Sequence, residues 1–423
     1  MNASKRLTSR MLIGALTASI GVLGHAAELP EGTVISAQNL DQIMDDTFEG
    51  HRIGDLLTDK FKMWVRDYAL EMQLGHAAPL QIDPAWEEAT QKYAGQAVLE
   101  SDNTVSNYTA GKPFTDVDVN EISCGWKQAW NHFYANPIMG NSWIALGDVK
   151  IYDAKRGEID HFTAWSAKSI FEGRTRGEPR IGGADDHARY LLVLTQPYDI
   201  AGIGVFTKQY NNGRSDDGWA YVKALRRVRR IAGGKSWMDP QPKMDLLNDD
   251  NQAILGYPGW FKSWECTGKR HILAVTTAKD PNIPYTFEDA VKENEFPHWN
   301  PKGLVWEPRE VYVIEAVPPD EHPYSKKVLY MDADYPMYYH AELYDRKGDF
   351  WRLWRESYAP LTTCDGAPGY GFTHTMAIDF QNQRATYIRI GLNKLNCLSP
   401  DFFTPEVLQK AASGALAEEA SKL

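Results

Sequence analysis

In the first third of the chain, apolar residues recur at helical spacing. Phe61, Trp64, Val65, Tyr68 and Met72 fall on one face of a helix that Thr58 can cap, and Asp83-Pro84 offers a cap and first turn for a helix over Trp86 to Leu99. A third helix beginning near Asn120 stacks Trp126, Trp130, Phe133 and Tyr134. Aromatic stripes at this spacing are most simply core.

From about Ser142 the period changes to two. Short runs rich in Val, Ile, Thr, Tyr and Trp predict strands at Ser142 to Tyr152, Ile159 to Phe171, Arg189 to Thr195 and Val205 to Tyr210. The clearest alternation spans Arg309 to Tyr358. There strands at Arg309 to Ala316, Lys327 to Met331, Met337 to Tyr344 and Phe350 to Tyr358 are separated by turns at Asp332-Ala333-Asp334 and Asp345-Arg346-Lys347-Gly348, as in an antiparallel meander. Thr373 to Ile378 and Ala385 to Gly391 add a hairpin, and Thr404-Pro405-Glu406 opens a terminal helix. Two stretches rich in Pro, Asp and Asn, Gly233 to Asn251 and Lys279 to Pro301, read as irregular segments crossing an edge or mouth of the sheet. The expected organisation is a signal peptide over 1–26, a mainly helical region over 27–140, a sheet domain over 141–400 and a C-terminal helix or tail over 401–423.

The extreme N-terminus changes the context. Lys5, Arg6 and Arg10 precede a short apolar run, Met11 to Leu23, and Gly24-His25-Ala26 supplies small residues for cleavage near Ala26. The run is shorter than the roughly 20 residues that span a bilayer. A periplasmic location follows as the expectation. Removing three basic residues and no acidic one takes the formal net charge from -11 to -14. Nucleic acid and other polyanions are therefore poor partners for the surface as a whole. The four cysteines, Cys124, Cys266, Cys364 and Cys397, are an even set suited to an oxidising compartment. Three pairings are possible, and Cys364 with Cys397 is favoured because both lie in the C-terminal β region.

Motifs that carry chemistry are sparse. There is no Gly-x-Ser-x-Gly, no His-Glu-x-x-His, no phosphate loop and no dinucleotide fingerprint; Gly202-Ile203-Gly204 leads into no helix. The eleven histidines are scattered, so no metal site and no cofactor is expected. Asp332 and Asp334 fit a hairpin turn better than a calcium loop, while an ion at the Asp245, Asp249, Asp250 and Asn251 cluster stays open. The run Leu225-Arg226-Arg227-Val228-Arg229-Arg230 has two readings. On a strand, Arg227 and Arg229 face one way and Arg226, Val228 and Arg230 the other. Either the arginines decorate a polar face, paired to acids such as Asp216 and Asp217, or one pair guards a cavity and holds an anionic head group.

Several of these segments together resemble a known family. Gln196-Pro197-Tyr198-Asp199-Ile200-Ala201-Gly202-Ile203-Gly204, Trp219-Ala220-Tyr221 and Leu225 to Arg230 are similar to the signature of the domain-of-unknown-function family 1329, exported bacterial proteins often labelled outer-membrane lipoprotein-sorting proteins. Gly111 to Phe114, Trp126 to Asn131, Arg309 to Ala316, His322 to Lys326 and Tyr344 to Gly348 follow in order, so the resemblance extends over most of the chain. It implies an α+β fold like the Lol-type lipoprotein carriers: a strongly curved antiparallel sheet, a half-barrel wrapped around helices, here with a helical N-terminal extension. It also implies inner-membrane exporters of the resistance-nodulation-division class and an outer-membrane protein as partners, with a place near the outer membrane. The chain is about twice the length of those carriers and lacks their receptor's lipid-anchored cysteine.

The reading that follows is a carrier for a hydrophobic, lipid-like molecule, without a catalytic residue. Trp219, Tyr221, Trp260 and Trp264 are the candidate walls, and Arg227 and Arg229 the candidate head-group ligands. A non-catalytic adaptor that binds partner proteins is the alternative, and an enzyme acting on a lipophilic substrate the second alternative.

Overall fold

A computed structural model describes residues 26–238, 244–278 and 286–412. All of the expected signal peptide except its last residue lies outside the described residues.

Fifteen strands form one large sheet. In chain order they are β1 (Val34–Ile35), β2 (Met72–Leu74), β3 (Ser142–Asp153), β4 (Gly157–Ile170), β5 (Asp186–Gln196), β6 (Gly204–Tyr210), β7 (Asp217–Val222), β8 (Arg227–Ile231), β9 (Ser263–Ala274), β10 (Val305–Val317), β11 (Lys326–Asp332), β12 (Tyr338–Tyr344), β13 (Phe350–Thr362), β14 (Pro368–Asp379) and β15 (Arg384–Leu395). Their spatial order is β1-β2-β10-β11-β12-β13-β14-β15-β3-β4-β5-β6-β7-β8, and β9 also pairs with β10. The chain thus lays down the middle of the sheet with its C-terminal meander and joins it to the earlier strands where β15 pairs with β3.

This arrangement corrects the half-barrel expectation. The sheet is open, neither closed nor strongly curled, and it is mixed, because β2 joins β10 in parallel through Val305–Gln73 and Trp306–Leu74. One side ends in β1, with two residues, and β9, with twelve, and the other in β8, with five; the two sides do not pair with each other. β8 is short and carries charged side chains that discourage edge pairing.

The helical expectations hold with shifted ends. In α1 (Asp59–Tyr68) the Thr58 hydroxyl accepts from the Phe61 amide at 3.4 Å, and the helix stops where Ala69 turns left-handed, so Met72 falls in β2 instead. The Asp83 carboxylate caps α2 (Pro84–Tyr93) by accepting from the Ala85 amide at 3.0 Å. Leu99 lies beyond α2, in a short hairpin with Val105. Asp118 takes the Asn120 amide into a turn at 2.9 Å, delaying α3 to Cys124–Ala135. A short α4 (Val407–Ala412) packs its Val407 and Leu408 with Phe206, Leu191 and Val193 of the sheet.

β9 was not marked by the alternation, since Glu265, Lys269 and Arg270 interrupt its apolar pattern. Against it, α3 comes so close that a Cβ on Gly125 would stand 2.3 Å from the Trp264 carbonyl carbon. Cys124 of α3 and Cys266 of β9 form a disulfide at this contact, and Cys364 pairs with Cys397 as expected.

Residues 244–256, in the irregular segment after β8, lie over the sheet as a strap, and one buried ion cluster fastens them. The Lys327 ammonium on β11, with no solvent exposure, donates to Asp249 Oδ2 at 2.7 Å, Asp250 Oδ1 at 3.0 Å and the Ala253 carbonyl at 3.1 Å. Asp249 also accepts from the Ser236 hydroxyl at 2.6 Å and the Gly256 amide at 3.2 Å; Asp250 accepts from the Leu247 amide and the Tyr324 hydroxyl, both at 2.8 Å. The cation held by these two aspartates is thus the ammonium of Lys327. Asp245, further along, lies 3.4 Å from Arg384.

Two stability predictions follow. Loop-closure entropy assigns about 5 kcal/mol to the Cys124–Cys266 bond, which spans 142 residues, and about 4 kcal/mol to Cys364–Cys397, which spans 33. Urea denaturation should therefore show C124S/C266S less stable than C364S/C397S; the reverse order would count against the entropic account. Lys327→Met strands two buried carboxylates and should cost about 3–5 kcal/mol. Adding Asp249→Asn and Asp250→Asn should recover part of that loss, and a Lys327→Met protein as stable as the parent would show that the cluster is not an anchor.

Candidate functional site

Cross-strand register places one row of side chains on a single face of the sheet. The ladder Leu395–Trp143–Lys168–Tyr190–Thr207–Gly218–Ile231 crosses β15, β3, β4, β5, β6, β7 and β8. A second ladder, Glu356–Thr375–Ile388–Val149–Phe162, crosses β13, β14, β15, β3 and β4 further along the strands. Alternation brings Ala164, Ser166, Leu192 and Val205 to the same face between them. The strap covers it with Met244, Leu246, Gln252 and Leu255.

Between sheet and strap runs an apolar groove. Its outer cavity, about 410 Å³, is lined by Leu192, Leu194, Ile200, Ile203, Val205, Ile231 and Met244. An inner cavity of about 90 Å³ shares Phe162, Tyr190, Leu192 and Met244 with it, and a further pocket of about 30 Å³, reaching His132 and Phe133 of α3, shares Lys168, Gln252 and Leu255 with the inner cavity. The outer volume alone falls within the 300–1,000 Å³ typical of small-molecule sites.

Two carboxylates, Asp216 and Asp217, line the outer cavity, and Asp217 is held there by the Tyr210 hydroxyl at 2.7 Å and Arg230 at 2.6 Å. Glu356, 2% exposed, is pushed up to about 8 by burial, against the opposing hydrogen bond from the Thr375 hydroxyl at 2.6 Å; its carboxyl is mostly neutral at pH 7. Lys168, 6% exposed, is brought down to about 8 by burial, with the Asp216 carboxylate acting in the opposite direction. His132 is brought down to about 4 by burial and stays uncharged. Among the described residues, no group of three or more His, Cys, Asp or Glu is placed to hold a metal ion.

The six residues singled out from sequence do not come together. Arg227 and Arg229 are exposed on the edge strand β8; Arg229 pairs with Ala220, and Ala220 with Val205, so both arginines share the groove's side of the sheet but stand beyond its lining. Trp219 and Tyr221 lie on the opposite side, against the cluster that includes Phe403, Val407 and Leu408. Arg230 sits with its guanidinium 5.8 Å over Trp219 and 2.6 Å from Asp217, which matches the expected pairing with a local acid. Trp260 and Trp264 belong to a cluster with Trp237 and Phe261, where their indole N–H groups donate to the Gly213 and Pro258 carbonyls at 2.8 and 3.1 Å.

Lys168 escaped the sequence reading. Its signal is faint: Phe162, Ala164 and Ser166 share its face of β4, while Trp165 and Ala167 make the other face apolar too. A lysine inside a strand with two apolar faces has to be buried.

Similarity to known proteins extends over most of the chain. The chain is 23% identical over 351 residues, 78% of its length, to an uncharacterized protein of Pseudomonas aeruginosa, of which it covers 69%. A crystal structure of a DUF1329 family protein from Desulfovibrio piger is similar at 17% identity and a TM-score of 0.46, over 68% of this chain and 98% of that one. An outer membrane lipoprotein-sorting protein domain from Vibrio parahaemolyticus is similar at 18% identity and a TM-score of 0.42, over 64% and 92%. The model of the family described as "Protein of unknown function (DUF1329)" matches residues 34–409, most of the sequence, and the chain belongs to that family.

Proposed function

We propose that the chain is a non-catalytic binding protein of the bacterial periplasm whose groove takes up a hydrophobic, lipid-like molecule. The observation that carries this is the apolar cavity of about 410 Å³ that continues inward beneath the strap. The exported location is supported by the secretory pattern of the first 26 residues and by two disulfides, which persist in oxidising compartments. Burial of ten methylenes contributes about 8 kcal/mol. Association costs of at least about 4 kcal/mol offset half or more of that gain, which permits release. A carrier requires that balance.

A second reading, an envelope adaptor for a partner protein, is favoured by β8. Its outer edge is unpaired in the sheet, and beside it Leu225 is exposed together with Arg226, Arg227 and Arg229. An extended acidic segment could add there as a further strand. The resistance-nodulation-division exporter and outer-membrane protein implied by the family resemblance are candidates for such a partner.

Native mass spectrometry of protein purified from periplasm, with uptake of the fluorescent probe N-phenyl-1-naphthylamine, tests the groove. We expect a co-purifying lipid-like mass, or probe uptake after delipidation. Val205→Trp, which fills the outer cavity, should weaken uptake at least tenfold with the melting temperature little changed. Absence of both lipid and uptake would remove the carrier reading and leave the adaptor.

A further inference from the structure

Lys168 is the one groove-facing ammonium for which the described structure provides no partner. It sits in the middle of β4, flanked by Trp143 on β3 and Tyr190 on β5, and lines both the inner cavity and the pocket beneath α3. Lysine side chains ordinarily carry their charge out to water along their methylene stem. Here the residue is 94% buried, and its ammonium makes no hydrogen bond or ion pair with any described residue, whereas the fully buried Lys327 is held by two carboxylates. Asp216 favours its charge only from a distance beyond ion pairing. The carboxyl that lines the inner cavity, Glu356, is mostly neutral at pH 7; Asp216 and Asp217 line the outer cavity instead. A buried charge left in this state is costly unless something enters to satisfy it.

We propose that Lys168 binds the head group of the groove's ligand, and that this ligand is a single-chain amphiphile ending in a carboxylate. The inference rests on the groove being a binding site. The carboxylate would lie at the ammonium, and the hydrocarbon tail would extend past Tyr190 and Leu192 into the outer cavity along Val205 and Ile231. Size selects the head group: cavities of about 90 and 30 Å³ around Lys168 admit a planar carboxylate and exclude a substituted phosphodiester. Arg227 and Arg229, exposed at the edge, are outside this contact.

The experiment compares oleate, oleyl alcohol and oleyl phosphate as competitors of N-phenyl-1-naphthylamine on the delipidated full-length mature protein. A charge-assisted hydrogen bond of about 1.5–3 kcal/mol predicts that oleate binds roughly ten- to a hundredfold more tightly than oleyl alcohol. Lys168→Met should abolish that preference, so that oleate binds no more tightly than oleyl alcohol, and Lys168→Arg should retain a preference for oleate. If Lys168→Met does not fold, the unmodified protein still locates the contact: a crystal structure of it with oleate should place the carboxylate within hydrogen-bond distance of the Lys168 ammonium, and a carboxylate seated elsewhere in the groove overturns the assignment. Equal binding of oleate and oleyl alcohol overturns the role of Lys168 but leaves the groove reading intact. Tighter binding of oleyl phosphate overturns the carboxylate assignment. Failure of all probes to enter overturns the groove reading itself.

Discussion

The groove depends on a buried ammonium between two buried carboxylates. Without Lys327, Asp249 and Asp250 keep only His322 and Tyr324, from the turn before β11, to hold them there, and the strap that they belong to supplies the groove's cover. Asp249 is driven below the usual carboxylate range despite a burial penalty that acts the other way, because Lys327 and His322 stand beside it; Lys327 is raised above its usual value for the reciprocal reason. The signs fix where the cluster contributes. Asp249 stabilises the fold above its unfolded value near 4 and loses that contribution as pH falls through its lower folded value; Lys327 contributes below its unfolded value near 10 and loses it as pH rises through its higher folded value. Across the neutral range the strap is fastened, so access to the groove is set by its open end.

Burial acts on Lys168 as it does on Lys327, yet the outcomes are opposite. Desolvation lowers both; at Lys327 two carboxylates within 3.0 Å more than reverse it, and at Lys168 only a distant Asp216 resists it. Glu356 mirrors Lys168, its acid form favoured by burial with one hydroxyl donor as relief. The Lys327 cluster is thus internally complete and serves architecture. A second set of groups, along the groove, is incomplete. That contrast separates anchor from site more clearly than residue type does, since both sets consist of lysine and carboxylic acids.

Local signals made much of the secondary structure legible. Thr58 and Asp83 cap the helices they were expected to cap, and the meander from Arg309 to Tyr358 has its turns where Asp332 to Asp334 and Asp345 to Gly348 put them. The Cys364–Cys397 bond followed from both cysteines lying in the C-terminal β region. Sheet closure was not legible, because it depends on which strands meet at the ends, and β1 and β2 come from a region whose alternation lasts two or three residues. The candidate site was illegible for a related reason. Trp219 and Tyr221 looked like walls because they are aromatic, but register decides the side of the sheet, and it turns them toward α4. Lys327 and Lys168 gained their significance from the strap and the cavity, which bring together residues far apart in the sequence.

The arginine run, the most conspicuous feature of the sequence, takes its role from its position at an edge. A strand with one unpaired side invites other strands, and charged side chains are a common protection. Arg230 is held by Asp217 over Trp219, which ties β8 back to β7, while Arg227 and Arg229 remain in solvent on the groove's side of the sheet. Ile231, the last residue of the same strand, is both 39% exposed and part of the outer cavity's lining. The end of β8 therefore joins the charged edge to the apolar cavity, on a chain that is otherwise net acidic. Asp216 and Asp217 line the same cavity, and Asp217 pairs with Arg230, so the charge at that end is mixed. In the proposed reading the apolar lining takes up the ligand's tail and the buried lysine meets its head group, with Arg227 and Arg229 outside that contact.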